Sequence, residues 1–105
     1  MLTYEELKER IENAQMDVSS QASDVLGYVL DRYDEDDDNI DEYDVEDAIM
    51  EECDEYFTYY DDAWEYLQEN CITDFDDAVA EGCTGVCSIA YYYLRDEIMN
   101  ILELY

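Results

Sequence analysis

Histidine and proline are absent from this 105-residue chain, glycine occurs three times, and the only cations are Lys8, Arg10, Arg32 and Arg95. Without histidine the commonest general base and metal ligand is missing. There is no Gly-rich phosphate loop and no nucleophile elbow, so no catalytic motif is legible and no enzyme is expected. Four scattered cations do not supply the clustered charge that displaces counterions from phosphates, which excludes direct nucleic-acid binding. No segment approaches the roughly 18 consecutive apolar residues of a membrane span. Residues 1–12 are acidic where a secretory leader would be basic and then apolar. The expectation is a cytoplasmic protein with no membrane contact and no cofactor.

What is present is acid. Thirty-two Asp and Glu against four cations leave a formal net charge of −28. Carboxylates this dense repel one another and lower the stability of any compact state, so a basic partner is the natural reason to keep them. Duplex DNA carries one negative charge per roughly 1.7 Å of axis, so 28 charges correspond to about 48 Å, or on the order of 14 base pairs. A domain of this length has a radius of gyration of roughly 13 Å, comparable with a short duplex. A disordered acidic segment has a similar composition. Twelve Tyr, Trp64, two Phe and the lack of proline weigh for a folded chain.

Cys53, Cys71, Cys83 and Cys87 lack the paired spacing of a zinc site, and the expectation is buried, reduced thiols. Cys83 and Cys87 as a redox pair on one helix face is the alternative. An EF-hand frame begun at Asp34 places Asp36 and Asp38 at ligand positions, yet Asn39 replaces the turn glycine and Val45 the bidentate Glu, so no specific calcium site is expected.

Helical periods run through the chain, and an all-α bundle of five or six helices in a single domain is predicted. Thr3 and Glu6 form a capping box for a helix over residues 4–15 with Tyr4, Leu7, Ile11 and Ala14 inward. A second helix covers residues 21–33, capped by Ser19 or Ser20. The run Asp34, Glu35, Asp36, Asp37, Asp38 is a loop. Asp44 is read as the cap of a third helix reaching Phe57, and Thr58 as the cap of a fourth reaching Glu69 with Tyr60, Ala63, Trp64 and Leu67 inward. Thr73 opens a short fifth helix that Gly82 ends. The sixth runs from Val86 toward Tyr105 and is apolar nearly all round up to Leu94, as a central helix or a homodimer seam would be.

Residues 31–69 hold 19 of the 32 acids and one cation, Arg32. Asp47, Glu51 and Glu55 repeat every fourth residue on the third helix, and Asp61, Glu65 and Glu69 do so on the fourth. Four helical residues rise about 6 Å, near the spacing of neighbouring phosphates on a strand. With the loop acids, Asp41, Glu42, Asp54 and Asp62, these rows form the candidate partner-binding surface. A salt-adapted protein would also carry acidic helix faces, but the concentration in one third of the chain and the abundance of tyrosine point to a partner.

The segment Asp47-Ala48-Ile49, then Tyr59-Tyr60-Asp61, a further amphipathic helix, a short acidic stretch and a terminal aliphatic, Tyr-bearing helix resembles the Ocr-like antirestriction proteins of phages. The resemblance spans residues 31–104. It implies an all-α DNA mimic that forms homodimers and occupies the DNA site of type I restriction enzymes in the bacterial cytoplasm. The chain departs from that family in lacking an acidic C-terminal tail and in carrying its densest acid run before the third helix. Small acidic anti-CRISPR proteins are similar in size and charge. The expected function is therefore inhibition of a restriction or CRISPR nuclease by occupying its basic DNA-binding cleft, the alternative being an acidic chaperone of basic DNA-binding proteins.

Overall fold

The computed structural model describes residues 1–104 as six helices: α1 (Tyr4–Gln15), α2 (Ser20–Leu30), α3 (Glu42–Tyr56), α4 (Tyr60–Glu69), α5 (Asp76–Ala80) and α6 (Val86–Ile101). The fold is all-α, and Leu2 and Ile40 form an isolated antiparallel bridge. That bridge pins the chain before α1 to the segment before α3, with hydrogen bonds of 2.8 Å in both directions. The tyrosine at 105, placed at the end of the last helix by periodicity, lies outside the described residues.

α6 is the helix on which α2, α3, α4 and α5 pack. Its Ala90, Leu94, Ile98 and Met99 are buried, against Val25, Leu26 and Val29 of α2, Ile49 and Cys53 of α3, and Ala63, Tyr66 and Leu67 of α4 in one core. Burying one such side chain contributes roughly 1.5–3 kcal/mol. The structure thus supplies the central role anticipated for this helix. Predicted inward positions on α1 to α3 are buried or half-buried. On α4 the register differs: Tyr60 is exposed and Tyr66 is buried.

The first three helices start where a side-chain oxygen reaches a free N–H. Thr3 and Glu6 form the capping box, and Ser19 caps α2 through Ala22 N–H at 3.1 Å. α3 begins earlier than expected because Asp41, not Asp44, caps it by accepting Tyr43 N–H at 2.9 Å. Thr58 does not cap α4. Its hydroxyl donates to Glu55 O at 2.8 Å, and Tyr59 occupies the cap position with no side-chain bond. α5 starts at Asp76 rather than at Thr73, since Asp74 Oδ1 accepts Asp76 N–H at 2.9 Å and turns the chain first. α2 stops at Leu30, three residues short of the expected Tyr33.

Three helices end in the same way. After α4, Cys71 N–H bonds Gln68 O and Ile72 N–H bonds Leu67 O. After α5, Gly82 bonds Val79 O and Cys83 bonds Ala78 O. After α6, Glu103 bonds Asn100 O and Leu104 bonds Met99 O. Each is a Schellman closure needing a left-handed residue, for which glycine is the unstrained choice. Gly82 fills one at φ 93°, while Cys71 at 55° and Glu103 at 58° carry the strain of a Cβ.

Glu97 of α6 is the main acid turned toward the packing. It accepts Ser19 N–H at 2.8 Å, Ser19 Oγ–H at 2.9 Å and Tyr66 O–H at 2.9 Å, tying α6 to the start of α2 and to α4. Burial, reinforced by the Glu97 charge, pushes the Tyr66 phenol well above its usual range, so it stays a donor.

Two substitutions test this architecture by urea unfolding. Leu94→Ala opens a cavity in the core, where Leu94 is fully buried, and lowers stability by about 2–5 kcal/mol. Cys71→Gly relieves the left-handed strain and raises stability by up to ~1 kcal/mol.

Candidate acidic interface

The loop between α2 and α3 draws Asp34, Asp36 and Asp37 together, with one oxygen of each within 4.8 Å of the others. Asp34 N–H donates to Asp37 Oδ2 at 2.9 Å, Asp37 N–H to Asp34 O, and Tyr4 N–H to Asp37 O. The loop is thus folded on itself and tied to α1. Glu35 and Asp38 are exposed beside them. The residues brought together are Asp34, Asp36 and Asp37, not the Asp34, Asp36 and Asp38 of an EF-hand frame.

Several acids of the predicted surface already serve the chain. Asp41 is the α3 cap. Glu42 lies 3.9 Å from Arg10. Glu51 accepts from Arg32 Nη1 at 2.8 Å, while Glu52 receives Arg32 Nε at 3.0 Å and Nη2 at 2.9 Å. The Arg32 guanidinium is held more firmly protonated, first by the hydrogen bond to Glu51 and against the opposing effect of burial. Glu69 accepts from Gln21 Nε2 at 2.8 Å. Asp47, Asp54, Glu55, Asp61, Asp62 and Glu65 face solvent.

Two adjoining grooves organise part of this surface around Tyr56. One, of about 290 Å³, is lined by Tyr28, Glu52, Glu55 and Tyr56. The other, of about 240 Å³, is lined by Gln21, Tyr56, Asp62 and Glu65. Tyr56 O–H donates to Asp24 at 3.1 Å, and its ring meets Phe57 edge-on at 5.3 Å. Burial first, then the bond to Asp24, raises its phenol to about 12, so the ring wall stays neutral. Sequence reasoning passed over Gln21, Asp24, Tyr28, Glu52 and Tyr56. Residues 21, 24 and 28 share a helical face that flanks the apolar stripe of α2, and Gln21 is buried at its edge.

All four thiols are free, but only Cys53 is buried as expected; Cys71 is exposed and Cys83 and Cys87 are half-buried. Desolvation pushes the Cys53 thiol up to about 12, which makes it an inert core residue. Exposure of Cys71 follows from its place at the α4 end. Among the described residues no helix is long and apolar enough to cross a membrane.

No known protein family, curated protein or solved structure matches this chain.

Repulsion along the acid rows is visible in Glu65, whose carboxyl is raised first by a hydrogen bond to the neighbouring Glu69 carboxyl and then by its charge. A carboxyl raised in the folded state favours folding below its ordinary value of 4.5, and that contribution is lost as pH rises through the folded value. Glu6 runs the other way. Thr3 N–H and then its hydroxyl lower it, so its contribution is present above 4.5 and lost as pH falls through the folded value. Thermal melts should therefore show Glu65→Gln more stable than the parent at pH 7, with the difference shrinking toward about pH 4. About 0.5 M salt should shrink it too, because screening acts on the same repulsion.

Proposed function

We propose that the protein is a DNA mimic that inhibits a host defence nuclease, of restriction or CRISPR type, by occupying its DNA-binding cleft. The observation that carries the reading is charge per length. The molecule measures 40 × 24 × 22 Å, so its shorter axes give a nearly round section. Its 28 net charges over the 40 Å axis amount to about 0.7 per Å, against roughly 0.6 per Å for duplex DNA. An acidic rod of that density presents a basic cleft with the field of its nucleic acid.

The mechanism is competitive and involves no chemistry. The exposed carboxylates of Asp47, Asp54, Glu55, Asp61, Asp62 and Glu65 pair with lysines and arginines that otherwise hold phosphates, and the acidic loop extends the same field. Complementary potentials also speed the encounter. The four cations of the chain do not oppose it, since Lys8 lies 3.9 Å from Glu12, Arg10 and Arg32 lie on Glu42, Glu51 and Glu52, and Arg95 sits over the Tyr91 and Tyr92 rings.

A cleavage assay with a purified type I restriction enzyme and a CRISPR effector, with protein added before or after DNA, tests the reading. Inhibition is expected only when the protein precedes DNA. Neutralising Asp47, Glu55, Asp61 and Glu65 to Asn or Gln should weaken it at least about tenfold, by analogy with lost phosphate contacts. The same number of changes at Glu5, Glu9, Glu12 and Asp17 should do much less. Equal loss from both sets, or equal binding to DNA-loaded complexes, would point instead to an acidic chaperone for basic proteins.

A second copy of the chain fits the same reading. Residues 82–95 form the longest stretch without an acid, and they carry half-buried Val86, Cys87, Ile89, Tyr91, Tyr92 and Tyr93 beside exposed Val79. Two chains of −28 can meet along a stretch without acids of its own, which carries Arg95 and has Asp77, Glu81 and Asp96 at its margin, and an isologous pair would join these ends and lengthen the acidic rod. Sedimentation in moderate salt at tens of micromolar should show a dimer that Val79→Glu and Tyr92→Glu convert to monomer. A monomer unaffected by either change would remove the dimer.

A further inference from the structure

We infer that the two grooves flanking Tyr56 are receptors for arginine side chains and discriminate guanidinium from ammonium. The inference rests on the reading that the partner is a basic protein surface, and it specifies which cation that surface must present.

Acid alone does not distinguish Lys from Arg. What does so is a flat aromatic wall beside carboxylates, because a guanidinium stacks on a ring and forks onto a carboxylate, whereas an ammonium is a compact, strongly hydrated point charge. Each groove has that combination. The first sets the Tyr28 and Tyr56 rings beside Glu52 and Glu55. The second is lined by Tyr56 again, with Asp62 and Glu65. The shared ring is fixed by its bond to Asp24 and its edge contact with Phe57. It is therefore a fixed ring common to both cation seats.

The chain's own arginines show both halves of this recognition. Arg32 lays its guanidinium on Glu51 and Glu52, with Nε and Nη2 converging on one Glu52 oxygen. Glu52 is itself a wall of the first groove. Arg95 lies over two tyrosine rings at 5.6 and 5.5 Å. Arg32 thus already occupies the edge of the surface, and the open volume beyond it is shaped and charged for further side chains of the same kind.

Calorimetric titration of the full chain with an oligoarginine and an oligolysine peptide of equal length, at near-physiological ionic strength, tests the inference. Oligoarginine should bind roughly five- to tenfold more tightly, the preference that cation–π contact in two seats provides. Tyr28→Leu, at a half-exposed ring whose loss leaves the core intact, should cut the preference about in half. Tyr28→Leu with Tyr56→Leu should abolish it while leaving oligolysine affinity unchanged. Tyr43→Leu and Tyr59→Leu, exposed tyrosines outside both grooves, should retain it. Equal affinity of the two peptides for the parent chain, or a preference that Tyr28→Leu leaves undiminished, would overturn the inference. Neither measurement involves a nuclease. Loss of the arginine preference with inhibition intact would therefore refute the grooves alone, and failure of inhibition with the preference intact would refute the mimic while supporting the grooves.

Discussion

Repulsion among carboxylates is the constraint on which the rest of the structure depends. With 32 acids and four cations, attraction between helices has to come from apolar contact, and the helix that supplies it is α6. Its acid-free first half is therefore a necessity of the charge balance as much as a packing preference. Wherever α6 does place a carboxylate against its neighbours, at Glu97, three donors surround it. An acid there without them would leave an uncompensated charge in the packing, a far larger penalty than the surface repulsion the chain tolerates elsewhere.

The same constraint shapes how the surface is used. Some acids are drawn into caps and ion pairs, as Asp41, Glu51 and Glu52 are, and the others stay in water. The partner-facing charge is what remains after local structure has been satisfied. Repulsion is thereby retained at low cost, since exposed like charges at helical spacing lower stability by only roughly 0.2–0.5 kcal/mol a pair.

Helix number, order and core stripes were legible because apolar spacing on α1, α2, α3 and α6 is regular and nothing interrupts it. Boundaries were less so. Asp41 and Asp44 are both competent caps, and the one used is Asp41, which directly follows the Leu2–Ile40 bridge, a contact between distant residues that no local pattern encodes. Tyr60 and Tyr66 are chemically alike, and Tyr66 is the one that meets partners inside, the Glu97 carboxylate on α6 and the Phe57 ring. On the surface, the acid rows could be read from i, i+4 spacing, whereas the grooves could not, because Tyr28, Tyr56 and Asp62 come from three helices. The internal claim of Arg32 on Glu51 was likewise invisible, since it reaches across the loop between α2 and α3.

The position of α6 in the chain also governs how the protein comes into being. The helix that α2, α3 and α4 require for their buried faces is the last of the six to be synthesised. At translation rates of roughly 5–20 residues per second, the earlier helices exist for several seconds without their common partner. During that interval like charge keeps their apolar stripes from clustering with those of neighbouring chains. The acidity that weakens the finished fold thus protects the unfinished one from aggregation on the ribosome.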